Sequence, residues 1–205
     1  MKKTKKQIII WPILFAALFA VWAGCAKAGI LAGPSDTITA AVLATETPWL
    51  SKLLIVVSHL GQWYVYVPIV LLLLALPRTR MTVGLPIAAT LAVSAILNNI
   101  LKLLFQIERP PVRRLIVETG FGFPSGHVMN AAVFLGICLY YLFKYGKNKA
   151  VKSAAAALAM LFFALTAFGR IYLGVHTPVD VIGGFLCGMA VLMGSIAIDK
   201  IWETT

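Results

Sequence analysis

The feature that most constrains this chain is a series of apolar runs, several of which approach or exceed the length of a membrane span. About 18 apolar residues are enough for a helix that crosses a bilayer. Hydrophobic residues make up 60% of the chain and charged residues 12%, far from the average composition of soluble proteins. The sequence therefore predicts an all-α, polytopic membrane protein that forms a single membrane-embedded domain over residues 1–205.

The apolar runs predict six transmembrane helices. Their approximate ranges are 8–26, 53–76, 83–104, 126–143, 154–168 and 178–198. A further interfacial helix is expected over 37–45, after a turn at 33–36. The first run also has the layout of a signal peptide, with a cleavage-like site at 26–28 and a lipoprotein site at Cys25 as another alternative. Its length favours a retained first span.

The distribution of lysine and arginine predicts the orientation. Six spans place both termini on one side, which would carry 11 of these residues: Lys2, Lys3, Lys5, Lys6, Arg78, Arg80, Lys144, Lys147, Lys149, Lys152 and Lys200. The opposite side would carry the other 7. The positive-inside rule therefore predicts that both termini are cytoplasmic. The same rule and anionic lipids explain the net charge of +11, so we expect membrane lipids and no nucleic acid as partners.

A polar island separates the last two apolar runs. Thr177, Pro178 and Asp180 are typical of a helix start, with a capping residue, a first-turn proline and a capping-box acid. His176 stands just before this helix, and a nearby carboxylate can fix the tautomer of an imidazole that acts as nucleophile or base. Arg170 adds a planar donor fork that suits phosphate. The alternative is an interfacial loop with a capping acid and a snorkelling arginine.

Two more polar segments are predicted on the same membrane face. Lys102 and Arg109 follow the third span, and ordinary snorkelling at a helix end is their alternative. Ser125 is the predicted N-cap of the fourth span, and the N–H groups of Ser125 and Gly126 would point at an oxyanion. His127 has no carboxylate one turn away. Because no cluster of His, Cys and carboxylate residues has metal-ligand spacing, we expect the cations to neutralise the anion without a metal or another cofactor.

The spacing of these three segments resembles a known family. The segments are Lys102-(six residues)-Arg109-Pro110, Pro124-Ser125-Gly126-His127, and Arg170-(five residues)-His176-(three residues)-Asp180. Together they resemble the three-part signature of the type 2 phosphatidic acid phosphatase superfamily, which includes membrane lipid phosphatases and soluble vanadium haloperoxidases. The chain departs from the pattern at Gly169, where the family usually has a serine. This change removes one possible phosphate hydrogen bond but no reacting group.

The resemblance implies metal-independent hydrolysis of a lipid phosphate or pyrophosphate through a phosphohistidine. It implies His176 as the nucleophile, Asp180 as its orienting acid, and His127 as the group that protonates the leaving oxygen and later activates water. The implied phosphate-binding residues are Lys102, Arg109, Ser125, Gly126 and Arg170. The implied substrates are undecaprenyl pyrophosphate, phosphatidylglycerophosphate, phosphatidic acid or lipid A phosphates. Cytoplasmic termini also predict that these residues lie together on the outer, extracytoplasmic face, and a site there favours the first of these substrates.

Two other functions fit a helical membrane bundle. A transporter or channel for phosphorylated lipids or anions usually has ionisable residues near mid-membrane, and the predicted span interiors are almost free of them. A catalytically silent scaffold is possible because fold alone does not fix function, although the intact His176, Asp180 and His127 argue against it. The oligomeric state is left open by the sequence.

Overall fold

Helices dominate the structure, a computed structural model that describes the backbone of residues 5–202 and the side chains of residues 8–202. Within that range the helices are α1 (Lys5–Lys27), α2 (Ala32–Leu43), α3 (Pro48–Leu60), α4 (Trp63–Ala75), α5 (Leu85–Phe105), α6 (Gly126–Tyr145), α7 (Lys149–Tyr172) and α8 (Pro178–Trp202). A π-helical turn, Arg80–Gly84, leads into α5. The all-α prediction is confirmed. Lys2 and Lys3, which contributed to the predicted orientation, lie outside the described residues.

The multi-span architecture is also confirmed. Five described stretches are long and apolar enough to cross a membrane: Ile8–Lys27, Arg80–Phe105, Gly126–Tyr145, Lys149–Tyr172 and Pro178–Trp202. They correspond to five of the six predicted spans. Helices α2 and α3 are together apolar enough for a sixth, but the chain bends by 118° between them. The structure thus supports five or six membrane crossings, and the sequence predicted six.

The predicted second span, residues 53–76, is wrong as a single helix. The chain breaks where Gly61 ends α3 and Gln62 adopts an extended backbone, with φ −88° and ψ 157°. Helix α4 then starts afresh at Trp63 and is only 13 residues long. The turn predicted at 33–36 is also wrong, because these residues form the first turns of α2. Proline is tolerated there since the first amides of a helix have no intrahelical partner.

Small residues on α8 allow it to lie close to α6. A Cβ atom built on Gly188 would stand 2.8 Å from the Met129 carbonyl oxygen and 3.2 Å from the Ala132 Cβ. One built on Gly184 would collide with the Ser125 carbonyl. Helices in membranes commonly associate through small residues, because apolar lipid provides no hydrophobic force between them. The contact with Ser125 places the start of α6 directly against α8.

Helix α1 packs along α8 as an integral part of the bundle. The Trp22 indole donates a hydrogen bond of 3.0 Å to the Val179 carbonyl. The ring of Phe19 stacks on that of Phe123, with 6.0 Å between the centroids. Phe123 lies just before the start of α6, so α1 contacts the two helix starts that carry predicted site residues.

Helix α3 packs against the end of α7. Leu54 is fully buried, and its Cδ2 would stand 3.3 Å from a Cβ atom built on Gly169. The Tyr172 hydroxyl accepts a hydrogen bond of 2.8 Å from the Thr47 amide at the start of α3. The glycine at position 169 therefore packs against Leu54. This packing brings α3 to the same end of the bundle as the polar island.

The close approach of α6 and α8 can be tested with two glycines of α8. Gly188→Ala should destabilise the protein by about 1–3 kcal/mol, the usual cost of overpacking, because the new methyl group meets the Met129 carbonyl. Gly194→Ala is the matched control, because among the described residues no atom outside its own stretch of helix lies within 4 Å of its Cβ position. The control should be neutral or slightly stabilising, since alanine favours helix over glycine. Thermal unfolding in detergent measures both, and equal melting temperatures for the two variants would contradict the packing.

Candidate active site

The predicted site residues come together at one end of the helix bundle. Lys102 lies in the last turn of α5, and Arg109 lies in the irregular segment 106–125 that follows. The residues predicted from Ser125 to His127 begin α6, Arg170 is in the last turn of α7, and His176 and Asp180 flank the start of α8. Three of these side chains, Arg170, His176 and Asp180, are each 1% exposed.

The carboxylate of Asp180 holds both the start of α8 and the imidazole of His176. Its Oδ2 accepts a hydrogen bond of 2.8 Å from the Thr177 amide, and the Asp180 amide donates to Thr177 Oγ1 at 3.3 Å. This is the predicted capping box. The same Oδ2 lies 3.3 Å from His176 Nδ1. A local capping motif therefore fixes the position of the carboxylate that contacts the histidine.

The hydrogen-bond partners of His176 define its tautomer. Its Nε2 lies 3.3 Å from Arg109 Nη1, and a guanidinium is only a donor. Nε2 must therefore accept, which leaves the proton on Nδ1, where it faces Asp180. Burial, reinforced by Arg170, Arg109 and Lys102, lowers the pKa of His176 well below its ordinary value. In this tautomer the lone pair lies on Nε2, the nitrogen that faces Arg109.

Arg109 is held on several sides by its own chain. Its Nη1 donates to the Val175 carbonyl at 2.8 Å, next to the contact with His176. Its Nε donates to the Gly120 carbonyl and its Nη2 to the Thr119 carbonyl, both at 3.0 Å. Burial lowers the pKa of Arg109, although nearby carboxylates oppose the change. The guanidinium thus ties segment 106–125 to the polar island.

Arg170 is a buried cation whose two main partners come from distant parts of the chain. Its Nη2 donates to Glu118 Oε1 at 2.6 Å, and its Nη1 donates to Ser58 Oγ at 2.7 Å. Neither Glu118 nor Ser58 belongs to the three sequence motifs that predicted the site. Glu118 lies in irregular structure, and Ser58 lies on α3, so neither shares a periodic pattern with the motifs.

Glu118 also faces the other cationic groups. Its Oε2 lies 3.7 Å from Arg109 Nη2, and its Oε1 lies 4.0 Å from His127 Nδ1. Burial would raise the pKa of this carboxyl, but Arg170, His127 and Arg109 hold it below the usual value. His127, which has no carboxylate one turn away, therefore has one across the site.

Three buried polar atoms at the site have no hydrogen-bond partner among the described residues. They are Ser125 Oγ, His127 Nε2 and Arg170 Nε. Buried polar atoms are rarely left unpaired in proteins, so this group marks a place for an oxygen-rich ligand. The predicted use of the Ser125 amide is wrong, because that N–H donates to the Asp180 carbonyl at 3.0 Å. The Ser125 hydroxyl makes no capping bond and remains available.

Close packing shapes the floor of the site. A Cβ atom on Gly126 would stand 2.8 Å from Asn98 Oδ1, and Asn98 Nδ2 donates to the Pro124 carbonyl at 3.2 Å. Asn98 therefore fixes the backbone that enters α6. Lys102 Nζ donates to the Phe121 carbonyl at 2.7 Å. Within residues 5–202, no three His, Cys, Asp or Glu side chains lie close enough together to hold a metal ion.

A cavity of about 710 Å³ adjoins these groups, lined by residues that include Trp63, Asn98, Lys102, Gly120 and His127. A second cavity of about 260 Å³ lies between α4 and α5 and is mainly apolar, with Tyr66, Val70, Leu71 and Leu91 in its wall. Trp63, Ala95 and Asn130 line both cavities. The polar cavity thus adjoins an apolar cleft between two helices.

Known proteins with similar sequences and structures are phosphatases. The chain is 29% identical over 185 residues to phosphatidylglycerophosphatase B of Bacillus subtilis, which covers 87% of this chain and 89% of the relative. It is 28% identical to an undecaprenyl-diphosphatase of Sulfolobus acidocaldarius, over 74% of this chain and 71% of the relative. The crystal structure of a transmembrane phosphatidylglycerolphosphate phosphatase from Bacillus subtilis superposes with a TM-score of 0.85 and 26% identity, covering 93% and 96% of the two chains.

The helical bundle, the cationic site and these relatives define the chain as a membrane lipid phosphatase. A model of the PAP2 superfamily matches residues 83–201, which is more than half of the chain. The chain belongs to the PAP2 superfamily, and the resemblance drawn from the three motifs is confirmed. Its relatives are hydrolases by name, which gives no support to the transporter alternative.

Proposed function

We propose that this enzyme hydrolyses a lipid phosphate or pyrophosphate through a phosphohistidine on His176, without a metal, at the extracytoplasmic face. The observation that carries the proposal is the placement of the His176 imidazole, with Nδ1 facing Asp180 and Nε2 facing Arg109. A lone pair that faces cations is suited to attack a phosphorus atom whose oxygens those cations bind.

In the first step, His176 Nε2 forms a bond to phosphorus while the bond from phosphorus to the lipid oxygen breaks. The imidazole gains positive charge, which the adjacent Asp180 carboxylate stabilises. His127 delivers a proton to the leaving oxygen. Its Nε2, which has no partner among the described residues, is the atom available for this transfer.

In the second step, water attacks the phosphohistidine. His127, now neutral, takes a proton from the water as its oxygen bonds to phosphorus, and the nitrogen–phosphorus bond breaks. Inorganic phosphate leaves, and the lone pair returns to His176 Nε2. Lys102, Arg109 and Arg170 would neutralise the phosphoryl oxygens in both steps. These side chains supply positive charge themselves, which supports the proposal that no metal is required.

The cavities support a lipid substrate that enters from the membrane. The head group would occupy the cavity beside Lys102 and His127, and the apolar chain would lie in the cleft between α4 and α5. The names of the relatives point to phosphatidylglycerophosphate and undecaprenyl pyrophosphate as substrates to compare. Phosphatidic acid and lipid A phosphates complete the set implied by the family.

The proposed reaction predicts phosphate release from detergent-solubilised lipid phosphates in the presence of EDTA. Vanadate should inhibit, because it mimics the pentacoordinate phosphoryl group. The measurement is orthophosphate release from phosphatidylglycerophosphate, undecaprenyl pyrophosphate and phosphatidic acid at equal mole fractions in mixed micelles. Activity that EDTA abolishes and added magnesium restores would contradict metal independence.

Substitution of His176 and substitution of His127 should have different effects on the reaction. His176→Ala should abolish both turnover and labelling of the protein by radioactive substrate phosphate, because it removes the nucleophile. His127→Ala should slow turnover by about 10²–10⁴-fold, the usual contribution of general acid–base catalysis. Its loss should be smallest with aryl phosphates and pyrophosphates, whose leaving groups need little protonation.

Labelling is followed after rapid mixing and an alkaline quench, because phosphohistidine is labile in acid. His59→Ala is the matched control, since this exposed histidine bonds to the Tyr64 hydroxyl at 2.6 Å and lies on α3 outside the motifs. A label that survives His176→Ala but disappears in His127→Ala would reverse the two assigned roles.

The proposed orientation can be tested by cysteine accessibility in intact cells. The background carries substitutions of Cys25, Cys138 and Cys187, the three native cysteines. Val117→Cys, at a position 93% exposed beside the site, should react with a membrane-impermeant thiol reagent. Lys147→Cys, in the connection between α6 and α7, should react only after the membrane is permeabilised. The opposite pattern would place the site in the cytoplasm.

A further inference from the structure

One short segment of the chain already binds the three cations proposed to bind phosphate. We name residues 118–121 the occluding segment. Its carbonyl oxygens accept hydrogen bonds from Arg109 and Lys102, and its only carboxylate, that of Glu118, accepts from Arg170. A carboxylate and a phosphoryl group offer an arginine similar pairs of charged oxygens. Glu118 therefore stands in the position where a substrate phosphoryl group would meet Arg170.

Groups of the protein already accept hydrogen bonds from both arginines. A guanidinium has five N–H donors. Those of Arg109 face groups of four residues, Val175, His176, Thr119 and Gly120. The Glu118 Oε2 atom lies farther from Arg109 Nη2, at 3.7 Å. On Arg170, one N–H of Nη2 donates to Glu118 and one N–H of Nη1 donates to Ser58, whereas Nε has no partner in the described part of the chain. A phosphoryl group can take the N–H that now donates to Glu118 only if the carboxylate leaves it.

The Glu118 side chain has open space beside it into which it can move away from Arg170. The Glu118 side chain is 19% exposed, so it already borders open space. Gly120 has φ +71°, which only glycine adopts without strain, and apart from its chain neighbours no described atom lies within 4 Å of its Cβ position. The unpaired Ser125 Oγ, His127 Nε2 and Arg170 Nε can receive a phosphoryl group before the carboxylate swings out.

We propose that Glu118 is a specificity-determining residue, an internal anion that occupies the phosphoryl site until a more highly charged head group displaces it. This inference rests on the proposed function of the same site. A phosphate monoester carries a charge of about −1.5 to −2 at neutral pH, as phosphorylated side chains do. A phosphodiester carries a single negative charge, no more than the carboxylate that it would have to replace. Glu118 thus admits monoesters and pyrophosphates and excludes the phosphodiester lipids of the surrounding bilayer.

The test compares inhibition by orthophosphate and by phosphatidylglycerol, a phosphodiester lipid, in mixed micelles. Glu118→Gln keeps a hydrogen-bond acceptor for Arg170 but removes the competing charge. For this variant, the inhibition constants of orthophosphate and phosphatidylglycerol should both fall by about 10- to 100-fold, the equivalent of one charge-assisted hydrogen bond. The fall should be larger for phosphatidylglycerol. Glu108→Gln is the matched control, because it makes the same change of charge at an exposed position of segment 106–125 and should leave both constants unchanged.

Two other roles for Glu118 give opposite results. If the carboxylate only holds Arg170 in place, Glu118→Gln will raise the inhibition constants. If it positions His127, the substitution will lower kcat and leave the constants unchanged. Either outcome overturns the proposal. Glu118→Asp keeps the acid but shortens its reach to Arg170. Like Glu118→Gln, it should lower the inhibition constants.

Calorimetry of orthophosphate binding compares the wild type with Glu118→Gln without turnover. Tighter binding to Glu118→Gln than to the wild type supports the inference, and weaker or equal binding contradicts it. A wild-type protein that binds orthophosphate but hydrolyses no lipid phosphate would refute the proposed function while leaving this comparison valid. Melting temperatures of the variants in detergent establish that each is folded.

Discussion

A guanidinium buried at the end of a membrane bundle needs partners, and the pairing of Arg170 organises much of this structure. An unpaired buried charge is costly, and removing one partner of a buried ion pair is typically strongly destabilising. Arg170 is 1% exposed and donates to Ser58 from α3 and to Glu118 from segment 106–125. The need to satisfy one cation therefore draws a helix and a loop from distant parts of the chain to the end of α7.

The start of α8 shows how an ordinary local rule can position a reacting group. Thr177 and Asp180 would form a capping box in any soluble helix. Here the same carboxylate oxygen accepts from the Thr177 amide and faces His176 Nδ1. The histidine thereby gains an orienting acid whose own position is fixed by backbone geometry. Reorienting the acid would require the helix start to unwind.

The features that the sequence predicted well depend on local patterns. Hydropathy located five of the spans, and residue types near Asp180 predicted the start of α8. The errors arose where tertiary contacts decide the outcome. Polar residues interrupt the second apolar run at 58–59 and 61–62, but mean hydropathy stays high enough on both sides that the run was predicted as one span, although the chain breaks between α3 and α4. The amide of Ser125 is taken by a carbonyl of α8, a contact that only the assembled bundle creates. Glu118 and Ser58 were missed for the same reason.

The stacking of Phe19 on Phe123 shows that a residue outside the region matched by the family model supports the site. The superfamily match begins at residue 83, and every motif residue lies after it. Yet Phe19 and Trp22 support the segments that enter α6 and α8, and Ser58 bonds to Arg170. A protein reduced to the matched region would retain all the reacting groups but lose the side chains that hold them in register. The packing that holds the site therefore extends beyond the matched region to the first helix.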